Sequence, residues 1–389
     1  MDGMPITWNH FVSNILAILF CWLLMLNFGL FTSCGTAEDG NRSHNRNLQL
    51  FHDPITDSFT LDQLHLEQKN STSFPRSISE IAYSDGTIYF SAEDRHLYGI
   101  NIESGERNWE YTLDAPLISY PIVDTQRLYI PTLDGRMLAI GLQDKTIQWE
   151  TPMDGTLSTF IRPVVDQEGI YFATSTGYIY GLNKESGGLI WEAIRLPEGV
   201  YNSLTYDSKT NYLIVGSDDG GLYAINKATG EIVWKVEHSK SIRRSQAVLF
   251  TDYVASIDTA GNILLVVIKT GEITRTKTFQ PPHGHPLAYK QWMLYPQSDD
   301  VVAIQLETMS LASAFPYKKE EFLDYCMLGN LLIMQTDLGN QLLVYNLENP
   351  TQQRSLSLPS KPFRQAIPLN DRRLLFVLEG SELMILSIR

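Results

Sequence analysis

The residues of this chain that could carry chemistry are few and widely spread. Pro281-Pro-His283-Gly-His285 sets two imidazoles two residues apart in a loop stiffened by proline, a spacing that can chelate a metal ion. No carboxylate or cysteine stands near them in sequence, so an exposed loop is the expected setting and no metal site is expected. Asp218-Asp219 would suit calcium, yet acids also favour the tight turn that Gly220-Gly221 marks directly after them. Arg243-Arg244 and Arg372-Arg373 read as solvated loop residues, with polar interaction patches as the alternative. There is no Gly-x-Ser-x-Gly, no phosphate-binding loop and no His-Glu-x-x-His. No catalytic residue, cofactor or metal ligand is therefore assigned.

Cysteine offers one further chemistry. Of Cys21, Cys34 and Cys326, none forms a CxxC or metal-ligand spacing, and Cys326 begins an apolar stretch that reads as core. Cys34 follows Phe31-Thr-Ser at the end of an apolar run that starts at Ile15, and small residues before such a cysteine resemble a bacterial lipobox. Acylation of Cys34 is the expectation, with a plain signal peptide or a retained membrane helix as alternatives. Residues 1–33 are then a signal or anchor segment, the polar residues 34–54 a tether, and 55–389 the folded body. A body with one thiol has nothing to mispair in an oxidising compartment.

The net charge of −14 excludes a general binder of nucleic acid or anionic membrane, because both need a basic surface. What must position any site is a repeat. Trp109, Trp149, Trp191 and Trp234 stand 40, 42 and 43 residues apart, and each follows an apolar strand pattern such as Leu222-Tyr-Ala-Ile-Asn226 and a turn such as Thr229-Gly230. Worn copies continue around Asp258, Asp300, Asp337 and Gly380, and the first lies around Glu93-Asp-Arg95. One tryptophan per unit in one repeat position assigns these four to blade structure, not to a ligand platform.

Eight such units predict an all-β, eight-bladed propeller of four-stranded antiparallel blades. The last unit ends after its third strand, while an alternating segment, Ser58 to Leu66, is spare at the other end. Pairing the two would close the ring and remove both open edges.

The pattern Gly220-x-Leu-Tyr-Ala-Ile-Asn-x-x-Thr-Gly-x-x-x-Trp234 resembles the repeat of the pyrroloquinoline-quinone-type eight-bladed propellers, closely over residues 80–275 and loosely beyond. In that family the tryptophan docks on the neighbouring blade, and the small residue after the tyrosine, here Gly99, Gly181 or Ala224, is expected to receive it. Drift to leucine and methionine in the last units suggests packing kept by bulk alone.

Lipobox, tether and a single propeller together resemble the lipoproteins of outer-membrane barrel-protein assembly. The resemblance implies a non-catalytic scaffold on the periplasmic side of the outer membrane, membrane-held at its N-terminus, with a protein partner in the barrel-assembly machinery. A ligand-binding or sensory propeller, or a quinoprotein dehydrogenase, are the other readings. The dehydrogenases use a vicinal cysteine pair, which this chain lacks. Function is expected where the repeats differ, above all in inter-blade loops such as Ser239 to Ser245.

Overall fold

The computed structural model describes residues 59–69, 79, 81–92, 94–114, 121–155, 162–243, 246–317, 322–336, 340–362, 366–378 and 382–389. Cys34, the segments 1–33 and 34–54, Glu93, Arg244, Ser245, Asp337 and Gly380 lie outside them. Eight antiparallel sheets of four strands form the ring. Blade 4 shows the plan: Thr205–Asp207, Tyr212–Gly216, Gly221–Asn226 and Ile232–Glu237 follow one another outward in chain order. First strands of successive blades approach one another, so they line the centre.

Each boundary between blades is filled by apolar side chains from both sheets. Ile257 and Leu265 of blade 5 pack with Met293 and Tyr295 of blade 6, and Phe90 and Ile100 of blade 1 pack with Leu375 and Ile385 of blade 8. The middle strands are buried on both faces and the outer ones mostly exposed. This burial is why the second and third strands read as continuous apolar runs.

Closure takes place as the sequence implies. Leu64–Lys69 pairs antiparallel with Glu382–Ile388, from Leu64 opposite Ile388 to Lys69 opposite Leu383, and so forms the outer strand of blade 8. The strand starts later than the alternation from Ser58 suggests, because Leu61–Gln63 forms a 3-10 turn. The Gln63 side chain accepts the Thr60 N–H at 2.7 Å, holding that turn. Before it, the buried Asn330 reads the Phe59 backbone as a strand would: Phe59 N–H donates to Asn330 Oδ1 at 2.6 Å, and Asn330 Nδ2 donates to the Phe59 carbonyl at 3.0 Å.

The tryptophans show how the ring is stitched. Each indole N–H donates to a backbone carbonyl of the next blade: Trp109 to Leu142 at 2.9 Å, Trp149 to Lys184 at 3.0 Å, Trp191 to Lys227 at 3.0 Å and Trp234 to Ile268 at 2.7 Å. The small residue after the tyrosine does not receive the neighbouring blade. Gly99 and Ala224 sit opposite Trp109 and Trp234 of their own sheets, and a Cβ on Gly181 would stand 2.7 Å from Trp191 of its own blade.

The neighbour's tryptophan rests instead on the glycine of the turn after the third strand, Ser186-Gly187 or Thr229-Gly230. A Cβ on Gly230 would meet Trp191 at 2.8 Å, and one on Gly187 would meet Trp149 at 2.5 Å. Both have positive φ, 75° and 71°, so the position favours glycine by conformation as well as by space.

Beyond blade 4 bulk alone is not what replaces the tryptophan. Its place, opposite the fourth residue of the third strand, is taken by Arg275, Ser313, Arg354 and Glu67 in blades 5 to 8. Arg354 keeps the hydrogen-bonding role, donating to the Leu61 carbonyl at 2.7 Å, and in blade 5 Lys277 donates to the Met309 carbonyl at 2.7 Å. In blades 5 and 7 a long cationic donor thus substitutes for the indole N–H.

Candidate functional site

The chemistry-bearing residues are distributed among different tasks. His283 is exposed and its ring Nδ1 lies 2.7 Å from the Gln297 carbonyl, while the His285 carbonyl accepts the Tyr325 hydroxyl. Among the described residues no three His, Cys, Asp or Glu side chains are grouped to hold a metal ion. Cys326 is fully buried in the strand Phe322–Leu328, opposite Ile333. A single enclosed thiol does not fit the vicinal cysteine pair of the quinoprotein dehydrogenases. Arg372 and Arg373 belong to the closure: Arg372 lies over the Phe59 ring, and Arg373 meets Glu103, which also takes Lys69 at 2.7 Å.

Asp218 and Asp219 diverge. Asp219 accepts the Gly221 N–H at 2.8 Å and the Tyr223 hydroxyl at 2.6 Å, which completes the turn of its own blade and holds its carboxyl below the usual range despite burial. Asp218 instead ties two inter-blade loops together. Its N–H donates to the Gly199 carbonyl, while its carboxylate accepts the Ser241 hydroxyl and forms an ion pair with the Arg243 guanidinium at 3.0 Å. The same guanidinium lies 4.0 Å above the Tyr201 ring. Tyr201 comes from the loop entering blade 4 and Arg243 from the loop leaving it, so three segments converge on one exposed end of the blade. Arg243 remains 47% exposed there, with its geometry already fixed by a carboxylate and an aromatic face.

Beneath this cluster lies an arrangement with the residue types of a hydrolase triad. His238 Nε2 is 2.7 Å from Ser256 Oγ, and His238 Nδ1 is 3.9 Å from Asp258 Oδ2. The His238 and Asp258 side chains are wholly enclosed and Ser256 is fully buried, so no substrate reaches the hydroxyl. The Nδ1 to carboxylate distance also exceeds a hydrogen bond. Asp258 spends its oxygens on the Ala260 and Asn262 N–H groups and on the Asn262 amide, all at 2.8–2.9 Å. This is a structural network under the loop: Ser239 donates to Asp258 at 3.2 Å, and Thr259 N–H donates to the Ser241 carbonyl at 2.9 Å.

Burial pushes the His238 imidazole down to about 4. An unfolded chain takes up this proton below about 6.5 and the folded one only below about 4, so the stabilisation present above 6.5 is lost as the pH falls towards 4. Urea titrations at pH 7.5 and 4.5 are expected to differ by about 2–3 kcal/mol from this group, and His238→Gln should flatten that difference. An equally steep acid dependence in the variant would assign the loss to other groups.

Sequence reading passed over a second buried charge. Lys227, side chain 5% exposed, pairs with Asp166 and with Glu168 at 3.0 Å and lies 5.3 and 5.4 Å from the Tyr171 and Tyr206 ring centres, bridging blades 3 and 4. Lys184, one repeat earlier, meets Asp124 at 3.5 Å. The recurring Asn-Lys after the third strand was the available signal, but the acids that answer it lie some 60 residues upstream.

Comparison with known proteins decides the family. The sequence model of the family described as "Outer membrane protein assembly factor BamB" matches residues 65–203, 161–288 and 202–383. The chain belongs to the BamB family. Among solved structures, BamB from Moraxella catarrhalis is similar with a TM-score of 0.67 at 15% identity, covering 83% of this chain and 100% of that one. A quinohemoprotein alcohol dehydrogenase from Comamonas testosteroni is similar with a TM-score of 0.65 at 12% identity, covering 84% of this chain and 77% of that one.

At such identities the structural likeness speaks for the propeller alone. Uncharacterised proteins of Rickettsia conorii and Rickettsia prowazekii are each 24% identical over 131 residues, 30% of this BamB-family chain. The match spans about a third of the length of either. No helix among the described residues is long and apolar enough to cross a membrane.

Proposed function

We propose that this BamB-family propeller is a non-catalytic scaffold for outer-membrane barrel-protein assembly. It works on the periplasmic side of the outer membrane, held there through Cys34 acylation or the apolar segment before it, and docks a protein partner on its inter-blade loops. The observation that carries the docking surface is the convergence of Tyr201, Asp218 and Arg243. A stacked, ion-paired and still exposed arginine is the kind of anchor that dominates protein interfaces, because little side-chain freedom is left to lose on binding. The serine–histidine contact between His238 and Ser256 beneath the loops is sealed from solvent, which supports binding over turnover.

Purified Arg243→Glu protein is expected to capture at least about tenfold less of a barrel-assembly component from detergent-solubilised bacterial envelopes, with an unchanged melting temperature. Undiminished capture by that variant would remove the loop cluster from the interface.

A further inference from the structure

We propose that the outer edge of blade 5 is a second docking surface, which accepts an extended, acidic polypeptide segment as a fifth strand. Two independent observations carry it. The first is the strand Ile273–Thr278 itself. It ends its sheet, so the backbone groups on its outer side are unpaired, and all of its six side chains are exposed, whereas Ile232–Glu237 in blade 4 buries Trp234 and Val236. Where the earlier blades insert tryptophan, this strand places Arg275, which makes no ion pair or hydrogen bond among the described residues. Lys277 reaches the Met309 carbonyl and lies 5.4 Å from the Phe279 ring centre, but it meets no carboxylate among the described residues. In a chain of net charge −14, this strand holds two cations and no acid.

The second observation is the distribution of exposed apolar side chains. Of the seven large ones among the described residues, five lie on blades 4 to 6: Ile232, Val233, Tyr253, Ile273 and Leu311. They share one end of the blades. Tyr253 pairs with Val267 and Ile273 with Val266, while Ile147, Ile232 and Leu311 occupy the corresponding register positions of their own outer strands, so what sets Ile273 apart is the cationic strand that it begins.

An incoming strand gains main-chain hydrogen bonds from the open edge and apolar contact at Ile273, with charge pairing at Arg275 and Lys277. Cations on an edge repel basic strands and resist burial under neutral ones, so the same residues that guard against random pairing select an acidic segment. The loop cluster lies at the opposite end of the blades, and the two surfaces can be tested separately.

The test uses the full chain and labelled ten-residue peptides in fluorescence anisotropy at low salt. One peptide alternates valine and threonine with glutamate, a second carries lysine for glutamate, and a third is the acidic peptide N-methylated at alternate residues. Saturable binding of the acidic peptide is expected, at least about tenfold tighter than either of the others, and weakened at least about tenfold by the double change Arg275→Glu and Lys277→Glu. Arg243→Glu should leave it unchanged, which separates this edge from the loop docking. Equal binding of the acidic and basic peptides, or of the N-methylated one, would overturn the proposal. So would no saturable binding up to about 1 mM, or self-association through this edge in sedimentation. Should the double variant fail to fold, the three peptides on the unaltered protein decide the question.

Discussion

Removal of residues 59–69 is expected to abolish the cooperative unfolding transition of the propeller. Phe59 and Leu64 are nearly fully buried, each contributing about 2–3 kcal/mol of apolar burial. Without them Glu382–Ile388 becomes an open edge and its six-residue ladder to Leu64–Lys69 is lost. Asn330 and Arg354 lose the Phe59 and Leu61 backbone groups that satisfy them, at about 1–3 kcal/mol for each buried polar group left unpaired. The total is comparable to the whole stability of an ordinary domain. Because each blade packs only on its neighbours, loss at the seam leaves blades 7 and 8 without an end. Circular dichroism on heating should show a broad, low-temperature loss of signal. Asn330→Ala, which removes the Phe59 contact and the 2.9 Å hydrogen bond to Asn346 but keeps the strand, should lower stability by about 2–4 kcal/mol and keep the transition cooperative. A melting curve unchanged by the deletion would mean that the strand is not what closes the ring.

Trp191→Ala is expected to cost about 3–5 kcal/mol, the largest effect of a single indole in the ring. Trp191 lies between Gly181 of its own sheet and Gly230 of the next, where no Cβ stands to fill the space it would vacate. Its loss also leaves the Lys227 carbonyl without a donor, next to the side-chain network that joins blades 3 and 4. Trp191→Phe should recover most of the packing and none of the hydrogen bond, leaving a deficit of about 1–2 kcal/mol. Measured by urea unfolding, equal losses in the two variants would mean that the hydrogen bond, and not the packing, sets the cost.

The propeller was legible because its local requirements recur. A turn glycine, a two-sided apolar strand and a closing tryptophan each satisfy one geometric need, and the need returns every blade. The closing strand could be read from what was missing at Arg389, although Gln63 and its 3-10 turn delay the start of that strand to Leu64. Contacts between repeats were harder. Whether Trp149 rests on Gly187 or on a small residue nearer the strand centre depends on how adjacent sheets stagger, which a one-dimensional alignment does not contain.

The same limit applies to the loop cluster. Arg243 and Asp218 were each visible as charged loop residues, but their partnership with Tyr201 is made by three segments meeting at one end of a blade. His238 gave no sign at all, since an isolated histidine after a strand looks the same whether exposed or enclosed. The blade 5 edge was visible only as an absent tryptophan. That this absence leaves a bare, cationic strand follows from the register that sets Arg275 opposite Leu265.

The most direct test of the scaffold reading is a photocrosslinking residue placed at Tyr201, in the full-length protein expressed in intact envelopes and followed by mass spectrometry of the adducts. A component of the barrel-assembly machinery is expected as the dominant adduct, and it should be lost when Arg243→Glu is added. Adducts with other envelope proteins and none with that machinery would contradict the assembly role, and would leave the fold and the family as they stand.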